Sequence, residues 1–314
     1  MALSSSGQGE TVAVVSVTFN SERLLADLVA SLETGMQGVS WHLTVADNAS
    51  TDASTSEIRR LLPEATVVEM GRNAGYAAGI NAAVAAAPPH TAILVLNPDI
   101  RLTAGCAKEL LSVLGRETSG IVVPQLERGD GSYIPVLRRE PTVLRALGDA
   151  MLGARRAGKY PMFGEIVTGD RYYQSETMAD WAAGSAMLIS AECWQRCAPW
   201  DESFFLYSEE TDFALRARDA GLPTRLAPAA RAVHLEGDSK QSPGLWALLM
   251  VNRARLYRRR HGFASSAAYW AALVLREASR ALLGSKPSRA AVRSLTSPAR
   301  LRQAPSAQTV RANG

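Results

Sequence analysis

Apolar runs of strand length recur through the first 125 residues, and each is followed by a stretch with helical character. Residues 11–19 (TVAVVSVTF) are β-branched and apolar enough for a strand buried on both faces. An amphipathic helix should start at Asn20-Ser21, with Ser21 as its cap, and run to Leu32. Residues 41–46 form a second strand, ending in Asp47-Asn48-Ala49-Ser50-Thr51-Asp52, and Ser54 with Glu57 has the spacing of a capping box. A third strand at 66–69, an alanine-rich helix to about Ala86, a fourth strand at 92–96, a helix over 103–114 and a strand at 121–123 continue the alternation. Strands and helices that alternate with short loops imply an α/β fold with a mostly parallel, doubly wound sheet.

In such sheets ligands bind beyond the carboxyl ends of the strands. The fourth strand stops abruptly there: Asn97-Pro98 ends it, because proline lacks the donor a central strand needs, and Asp99 is left at its tip. Asn-Pro-Asp is also good type I turn chemistry, and taken alone the turn is the simpler reading. Asp47 to Asp52 likewise follows a strand and could meet a nucleobase or ribose, with Thr18 and Asn20 nearby, or could be a polar turn. Arg72-Asn73-Ala74-Gly75-Tyr76 opens a helix with small residues, a setting that attracts phosphate or allows close helix–sheet packing. Its spacing is not G-x-G-x-x-G, so it is no dinucleotide fingerprint.

Farther along, residues 138–180 have little periodicity and read as a mobile insertion with some helix near 142–152. Residues 181–190 (WAAGSAMLIS) read as one strand, and 224–233 as the strand that closes the fold. Between them a helix runs from Glu209 to Ala220, with Glu209, Glu210 and Asp212 in its first turn, a common arrangement of solvated acids. The aromatic stretch Phe204-Phe205-Leu206-Tyr207 precedes them, and aromatic walls can raise a carboxyl's pKa to suit a general base. His234, one of four histidines, follows the last strand and is a candidate partner of Asp99 for a metal. Cys106, Cys193 and Cys197 read as buried thiols rather than a zinc site.

The composition, 47% apolar and 20% charged, is that of a globular chain. No apolar run reaches membrane-span length and no signal peptide is visible, so the expected location is the cytosol. The net charge of +4 hides an asymmetry: residues 1–250 carry 21 Lys+Arg and 29 Asp+Glu (−8), residues 251–314 carry 13 and 1 (+12). Two basic amphipathic helices are expected over 245–260 and 266–283. Trp246, Leu249, Leu256 and Tyr257 lie on the first, with Tyr269, Trp270, Leu273 and Val274 on the second. That pattern suits the anionic inner face of the cell membrane, as a peripheral contact, or else packing on the body or in a homodimer. The tail 286–314 reads as disordered, and nucleic acid is not expected because no binding module accompanies the basic residues.

In order, VVSVTFNSE, VADNASTD, RNAGYAAGIN, LVLNPDI, WAAGSAMLIS, WDESFFLYSEETDFALRARDAG and VHLEGDS resemble the family 2 inverting glycosyltransferases, in particular their bacterial rhamnosyltransferase branch. The resemblance covers 11–240 and implies a nucleotide-sugar-binding fold of the GT-A type in 1–242. Residues 138–180 would form an acceptor-side insertion and 243–285 a helical extension. It implies that Asp47 and Asp52 meet the base and ribose, with Thr18, Asn20, Asn48, Arg72, Asn73, Gly75, Asn81 and Asn97 completing the nucleotide site. It places Asp99 and His234 at a divalent metal, Mg²⁺ or Mn²⁺, and Glu210 (or Glu209) as the base. Trp181, Gly184, Ser185, Glu209 and Asp212 would face the acceptor. The chain departs from the family pattern in Asn97-Pro98-Asp99, where many relatives have Asp-x-Asp, and in Glu209-Glu210, where Glu-Asp is common. The implied donor is dTDP-L-rhamnose and the implied acceptor a cell-envelope glycan or a polyprenyl-diphosphate-linked sugar. A UDP-sugar donor and a non-catalytic sugar-nucleotide-binding module are the alternatives. A nucleotidyltransferase would carry a glycine-rich loop where Phe19-Asn20-Ser21-Glu22 stands.

Overall fold

A computed structural model describes residues 11–116, 118–235 and 242–312. The first half alternates as expected: β1 (Thr11–Thr18), α1 (Glu22–Gly35), β2 (Ser40–Asp47), α2 (Ser54–Leu61), β3 (Thr66–Glu69), α3 (Tyr76–Ala86), β4 (Ala92–Leu96), β5 (Ile100–Leu102), α4 (Cys106–Arg116) and β6 (Ile121–Glu127). The second half contains β7 (Tyr133–Ile134), β8 (Leu137–Arg138), α5 (Val143–Leu152), α6 (Ala154–Ala157), β9 (Met178–Ala179), β10 (Trp181–Ala182), β11 (Ala186–Ser190), α7 (Ala191–Cys197), α8 (Glu209–Asp219) and β12 (Thr224–His234). The chain ends in α9 (Pro243–Arg260), α10 (Phe263–Leu282), α11 (Lys286–Leu295), α12 (Pro298–Arg302) and α13 (Ala307–Ala312).

The main sheet has the order β3-β2-β1-β4-β11-β6-β12-β5. Its first four strands are parallel, and the inner pair, β1 and β4, carries the largely apolar sequence of strands covered on both faces. β11 enters antiparallel between β4 and β6. The chain moves from β1 outward to β3, then returns to add β4 on the other side of β1. The order therefore reverses between β1 and β4, and a crevice opens at their carboxyl ends, where Thr18 and Asn97 stand.

Several local expectations are corrected. Ser21 stands at the N-cap of α1 as expected, but its hydroxyl accepts from the Phe19 N–H and makes no capping bond. α2 begins after Ala53, so Ser54 is not its cap, and the Ser54 hydroxyl donates to Asp52 instead. Residues 181–190 are not one strand, because 183–185 break the run between β10 and β11. The three cysteines are free and buried, and burial pushes the Cys106 thiol up to about 12.

The carboxyl-terminal fifth departs most from expectation. The tail at 286–314 is not disordered where it is described: it folds into α11, α12 and α13, with Ser285 and Ser297 capping the first two. Ala291 and Leu295 are buried with Tyr257, Tyr269, Leu273 and Ala146 of α5 in a second core. Burying one such leucine stabilises a fold by about 1.5–3 kcal/mol, which a Ser/Pro/Arg-rich composition does not reveal. Tyr257 stacks on Tyr269 with ring centres 4.0 Å apart, and Trp246, Leu249 and Val274 pack against the same core. These side chains therefore face the protein, not a lipid surface. The charge asymmetry is in part internal for the same reason. Arg253 pairs with Glu165, Arg259 with Asp201, Arg260 with Glu140 and Asp219, and Arg276 with Asp149.

Candidate active site

Three polar loops at the carboxyl ends of β1, β2 and β3 are tied to one another. Thr18 Oγ1 donates to Asp47 Oδ1 at 2.9 Å, and the Ser50 backbone N–H donates to Asp47 Oδ2 at 2.9 Å. Asn20 and Ala49 both take positive φ (54° and 59°), and the Thr51 N–H donates to Asn20 Oδ1 at 2.7 Å across the two loops. Asn48 reaches the third loop, donating to the Gly75 carbonyl at 3.0 Å and accepting from the Ala74 N–H at 3.3 Å. Gly75 has a φ of 95°, and a Cβ there would lie 2.3 Å from the Phe205 carbonyl oxygen. Only glycine lets this loop close onto the segment before α8. Tyr76 completes the contact: its N–H donates to the Phe205 carbonyl at 2.6 Å and its hydroxyl to Asn97 Oδ1 at 2.7 Å.

Beyond β4, Arg101 holds the turn, donating to the Pro98 carbonyl at 2.7 Å and to the Leu24 carbonyl at 2.9 Å. β5 pairs antiparallel with β12, and this register sets His234 opposite Ile100. His234 Nε2 thus lies 3.1 Å from Asp99 Oδ2, while Asp99 Oδ1 is buried with no protein partner. Among the described residues no group of three or more His, Cys, Asp or Glu could hold a metal. The pair nonetheless fits a divalent ion bound together with a substrate: one buried carboxylate oxygen lacks a partner, an imidazole lies beside it, and phosphate oxygens are the customary remaining ligands.

The other carboxylates stand at the start of α8. The preceding segment is wound through positive φ at Phe205 (64°), Tyr207 (68°) and Ser208 (77°), conformations that non-glycine residues keep only when their surroundings force them. Glu209 is buried, whereas Glu210 is half-buried, with its Oε2 buried and without a protein partner, and lines a small cavity with Trp181, Pro141, Glu165 and Arg253. Burial, then the charge of Glu210, raises the Glu209 carboxyl well above the usual carboxylate range. Burial raises Glu210 as well, but the backbone N–H groups of Glu210, Thr211 and Ser208 and the Arg138 guanidinium act against it. Both carboxyls therefore hold protons to higher pH than exposed glutamates do, and the two titrate as a pair. Gly184 leaves room for the Glu210 side chain: a Cβ there would lie 3.0 Å from Glu210 Cβ. Burial, then the charges of Glu209, Glu210 and Asp99, pushes the Tyr76 phenol up, so the tyrosine feels the acids of both clusters.

Residues 13–165 match the family model of Glycosyl transferase family 2. The chain carries a family 2 glycosyltransferase domain. It is 27% identical over 247 residues to the N-acetylglucosaminyl-diphospho-decaprenol L-rhamnosyltransferase of Mycobacterium tuberculosis, covering 73% of this chain and 78% of the relative. It is 25% identical over 233 residues to the low-salt glycan biosynthesis hexosyltransferase Agl10 of Haloferax volcanii, covering 72% and 67%. In fold it is similar to the mannosyltransferase PcManGT of Pyrobaculum calidifontis in complex with GDP-Man and Mn²⁺, with a TM-score of 0.55 at 16% identity over 96% of this chain and 85% of that one. It is also similar to S. aureus TarS 1–349 in complex with UDP-GlcNAc, with a TM-score of 0.54 at 14% identity over 91% and 79%. The sheet is thus of the GT-A type.

Within the glycosyltransferase domain, the expected residues do not all gather. Thr18, Asn20, Asp47, Asn48, Asn73 and Gly75 form the linked loops beside Asn97, and Arg72 is exposed at their rim. Asp52 accepts from the Glu22 and Ser54 N–H groups and serves the turn. Asn81 is turned elsewhere: its amide donates to the Trp200 carbonyl and to Glu202 and accepts from the Trp200 N–H, which leaves nothing for a nucleotide. Asp212 is spent on Arg216 at 2.8 Å and lines a different cavity, with Trp200 and Arg259, so it does not stand with Glu210. Trp181 does, donating from its indole to the Arg139 carbonyl, and the Ser185 carbonyl accepts from the Asn97 N–H at 2.8 Å. Glu236, Gly237, Asp238, Ser239 and Lys240 lie outside the described residues.

Two contributors escaped the sequence reading. Arg138 lay in a stretch without periodicity. Asn252 lay on a helix read as facing a membrane, yet it is fully buried, and its Nδ2 donates to the carbonyls of Phe204, Leu206 and Tyr207 at 2.8, 2.9 and 3.1 Å. One side chain of α9 thereby fixes the positive-φ segment that aims α8. Asn252→Ala is expected to lower stability by about 1–3 kcal/mol, the cost of leaving buried carbonyls unpaired. It should also lower kcat by up to about 100-fold, with a smaller change in donor KM, because a misaimed catalytic group costs rate before affinity. Denaturant unfolding and steady-state kinetics on the same preparation check both.

Proposed function

We propose that the chain is an inverting rhamnosyltransferase that moves L-rhamnose from dTDP-L-rhamnose to a hydroxyl of a polyprenyl-diphosphate-linked or other cell-envelope glycan. The observation that carries the reaction class is the Glu209–Glu210 pair, in which Glu210 lines a small cavity with Trp181 and has one buried carboxylate oxygen without a protein partner. The sugar rests on the M. tuberculosis relative, whose name gives both an L-rhamnosyl product and a lipid-diphosphate acceptor. The linked loops around Asp47 and Asn48 would bind the base and ribose, and Asn97, held by Tyr76, would stand under the diphosphate.

Glu210 takes the proton of the acceptor hydroxyl. The acceptor oxygen then bonds to the anomeric carbon from the face opposite the nucleotide, and the bond from that carbon to the diphosphate oxygen breaks. The nucleoside diphosphate leaves with the electron pair, and the configuration inverts. Asp99 and His234 would hold a Mg²⁺ or Mn²⁺ ion, which when bound supplies Lewis-acid stabilisation of the leaving diphosphate. The enzyme would work in the cytoplasm, peripherally on the inner membrane face. Among the described residues, no helix is long and apolar enough to cross a membrane.

Calorimetric titration with a panel of nucleotide sugars, with and without Mn²⁺, tests this reading. Metal-dependent binding of dTDP-rhamnose in preference to UDP-sugars is the expected result. Preference for a UDP-sugar would keep the mechanism and replace the donor. Absence of binding to every donor would overturn the transferase reading in favour of a different ligand.

A further inference from the structure

The arginine-rich helices lost most of their expected membrane face to the second core and its ion pairs, yet large apolar side chains remain exposed elsewhere. Met151 and Leu152 at the carboxyl end of α5 are 71% and 46% exposed, and Leu282 and Leu283 at the end of α10 are 89% and 88% exposed. The two helix ends lie together. Ala146 of α5 packs in the cluster of Tyr269 and Leu273, and Asp149, one turn on, meets Arg276 and Arg280. The contacts step in the same direction along both helices, so α5 and α10 run parallel and finish side by side. The turn after α6 adds Tyr160, Met162 and Phe163, all exposed. It is fastened over α5 by Arg145, which donates to the Pro161 carbonyl at 3.0 Å, and by Gly148, which leaves room for Phe163.

The charges around these side chains have one sign. Arg155, Arg156 and Lys159 are exposed between the apolar residues, and Lys286 and Arg289 follow α10. No Asp or Glu occurs from 150 to 164, or anywhere after Glu277. Asp149 and Glu165, the acids that flank this stretch in sequence, are paired with Arg276 and Arg280 and with Arg253. Protruding Met, Leu, Tyr and Phe among cations, without acids, is the chemistry of a surface that dips into an anionic bilayer. It does not suit a protein partner that must satisfy specific polar groups.

We infer that the ends of α5 and α10, with the 155–163 turn, form a membrane-docking surface for an anionic lipid bilayer. The inference rests on the transferase reading only for its purpose and deepens it by naming the face. The docked segment leads directly to the catalytic cavity. Arg139 donates to the Gly164 and Ile166 carbonyls at 2.9 and 3.1 Å, and its own carbonyl accepts from Trp181 beside Glu210. An acceptor anchored in the bilayer by its lipid would thus present its sugar to Glu210 without leaving the membrane.

The test uses the full chain and flotation with phosphatidylcholine vesicles, with and without phosphatidylglycerol. The wild type should bind the anionic vesicles and release them as salt is raised. Met151→Asp/Leu152→Asp, which removes inserted apolar side chains, and Arg155→Glu/Arg156→Glu, which removes cations, should each weaken that binding by at least about tenfold. All four positions are exposed, and circular dichroism should remain unchanged. Arg258→Glu, on α9, should bind like the wild type. Equal binding by every variant, or loss only with Arg258→Glu, would overturn the assignment. So would a dimer in sedimentation velocity that Met151→Asp/Leu152→Asp dissolves, because the face would then join two copies of this chain. Donor binding is measured in parallel. Its failure in the wild type would sink the transferase reading, while vesicle binding judges the docking surface alone.

Discussion

Glu210→Gln is expected to lower turnover by about 10²–10⁴-fold while donor affinity stays within a few-fold, because only the proton acceptor is removed and its volume is kept. Glu209→Gln should be much milder. Burial and the charge of Glu210 raise that carboxyl well above the usual carboxylate range, which favours its neutral form, and an amide keeps a neutral group in its place. The wild-type rate should fall as pH drops through a value above the ordinary glutamate pKa, since burial raises the carboxyl that must be ionised to act. Both acids bind protons more tightly in the folded chain than in the unfolded one. Their linked contribution therefore favours folding at pH values below the ordinary glutamate pKa, and that contribution is lost as pH rises through the raised folded values. A kcat–pH profile of the wild type, with denaturant midpoints over the same range, reads both effects. A Glu210→Gln enzyme of near-normal turnover would remove the base assignment.

Asp99→Asn is the second large loss, about 10²–10³-fold in turnover, the scale of several kcal/mol of leaving-group stabilisation. The effect should also appear without catalysis. Mn²⁺ should strengthen nucleoside-diphosphate binding to the wild type in calorimetry and should cease to do so in the variant. The fold should tolerate the change. Asp99 contributes its backbone carbonyl to the Leu235 N–H at 3.0 Å, which the substitution preserves, and its Oδ1 has no protein partner to lose. His234→Ala is expected to weaken the same metal effect less, since it removes one neutral ligand and leaves the carboxylate. Unchanged metal dependence in Asp99→Asn would move the ion elsewhere.

The parallel half of the sheet was legible because buried strands and amphipathic helices leave opposite periodicities. Strand ends then mark the crevice once the order β3-β2-β1-β4 is known. The meeting of Asp99 with His234 was legible only as two strand ends, since the β5–β12 register that brings them to 3.1 Å depends on pairing across 135 residues of chain. What failed shares one cause. A basic amphipathic helix has the same sequence pattern whether its arginines meet lipid headgroups or the carboxylates of its own domain. Glu140, Glu165, Asp201 and Asp219 decided between these, and they lie far away in sequence. Asn252 was lost for the same reason, as a polar residue whose three acceptors sit in a loop about 45 residues earlier. Asn81 and Asp212 were assigned to ligands because neighbouring positions suit them, but a hydrogen bond or an ion pair within the fold takes each side chain first.

The central claim is single displacement at the anomeric carbon with Glu210 as the base. Proton NMR of the first glycosylated product, recorded before any anomeric equilibration, reads it directly. The expected product has the anomeric configuration opposite to that of the donor, and Glu210→Gln should abolish it. A product that retains the donor configuration would contradict the account, because retention requires either two displacements or attack on the face the nucleotide leaves.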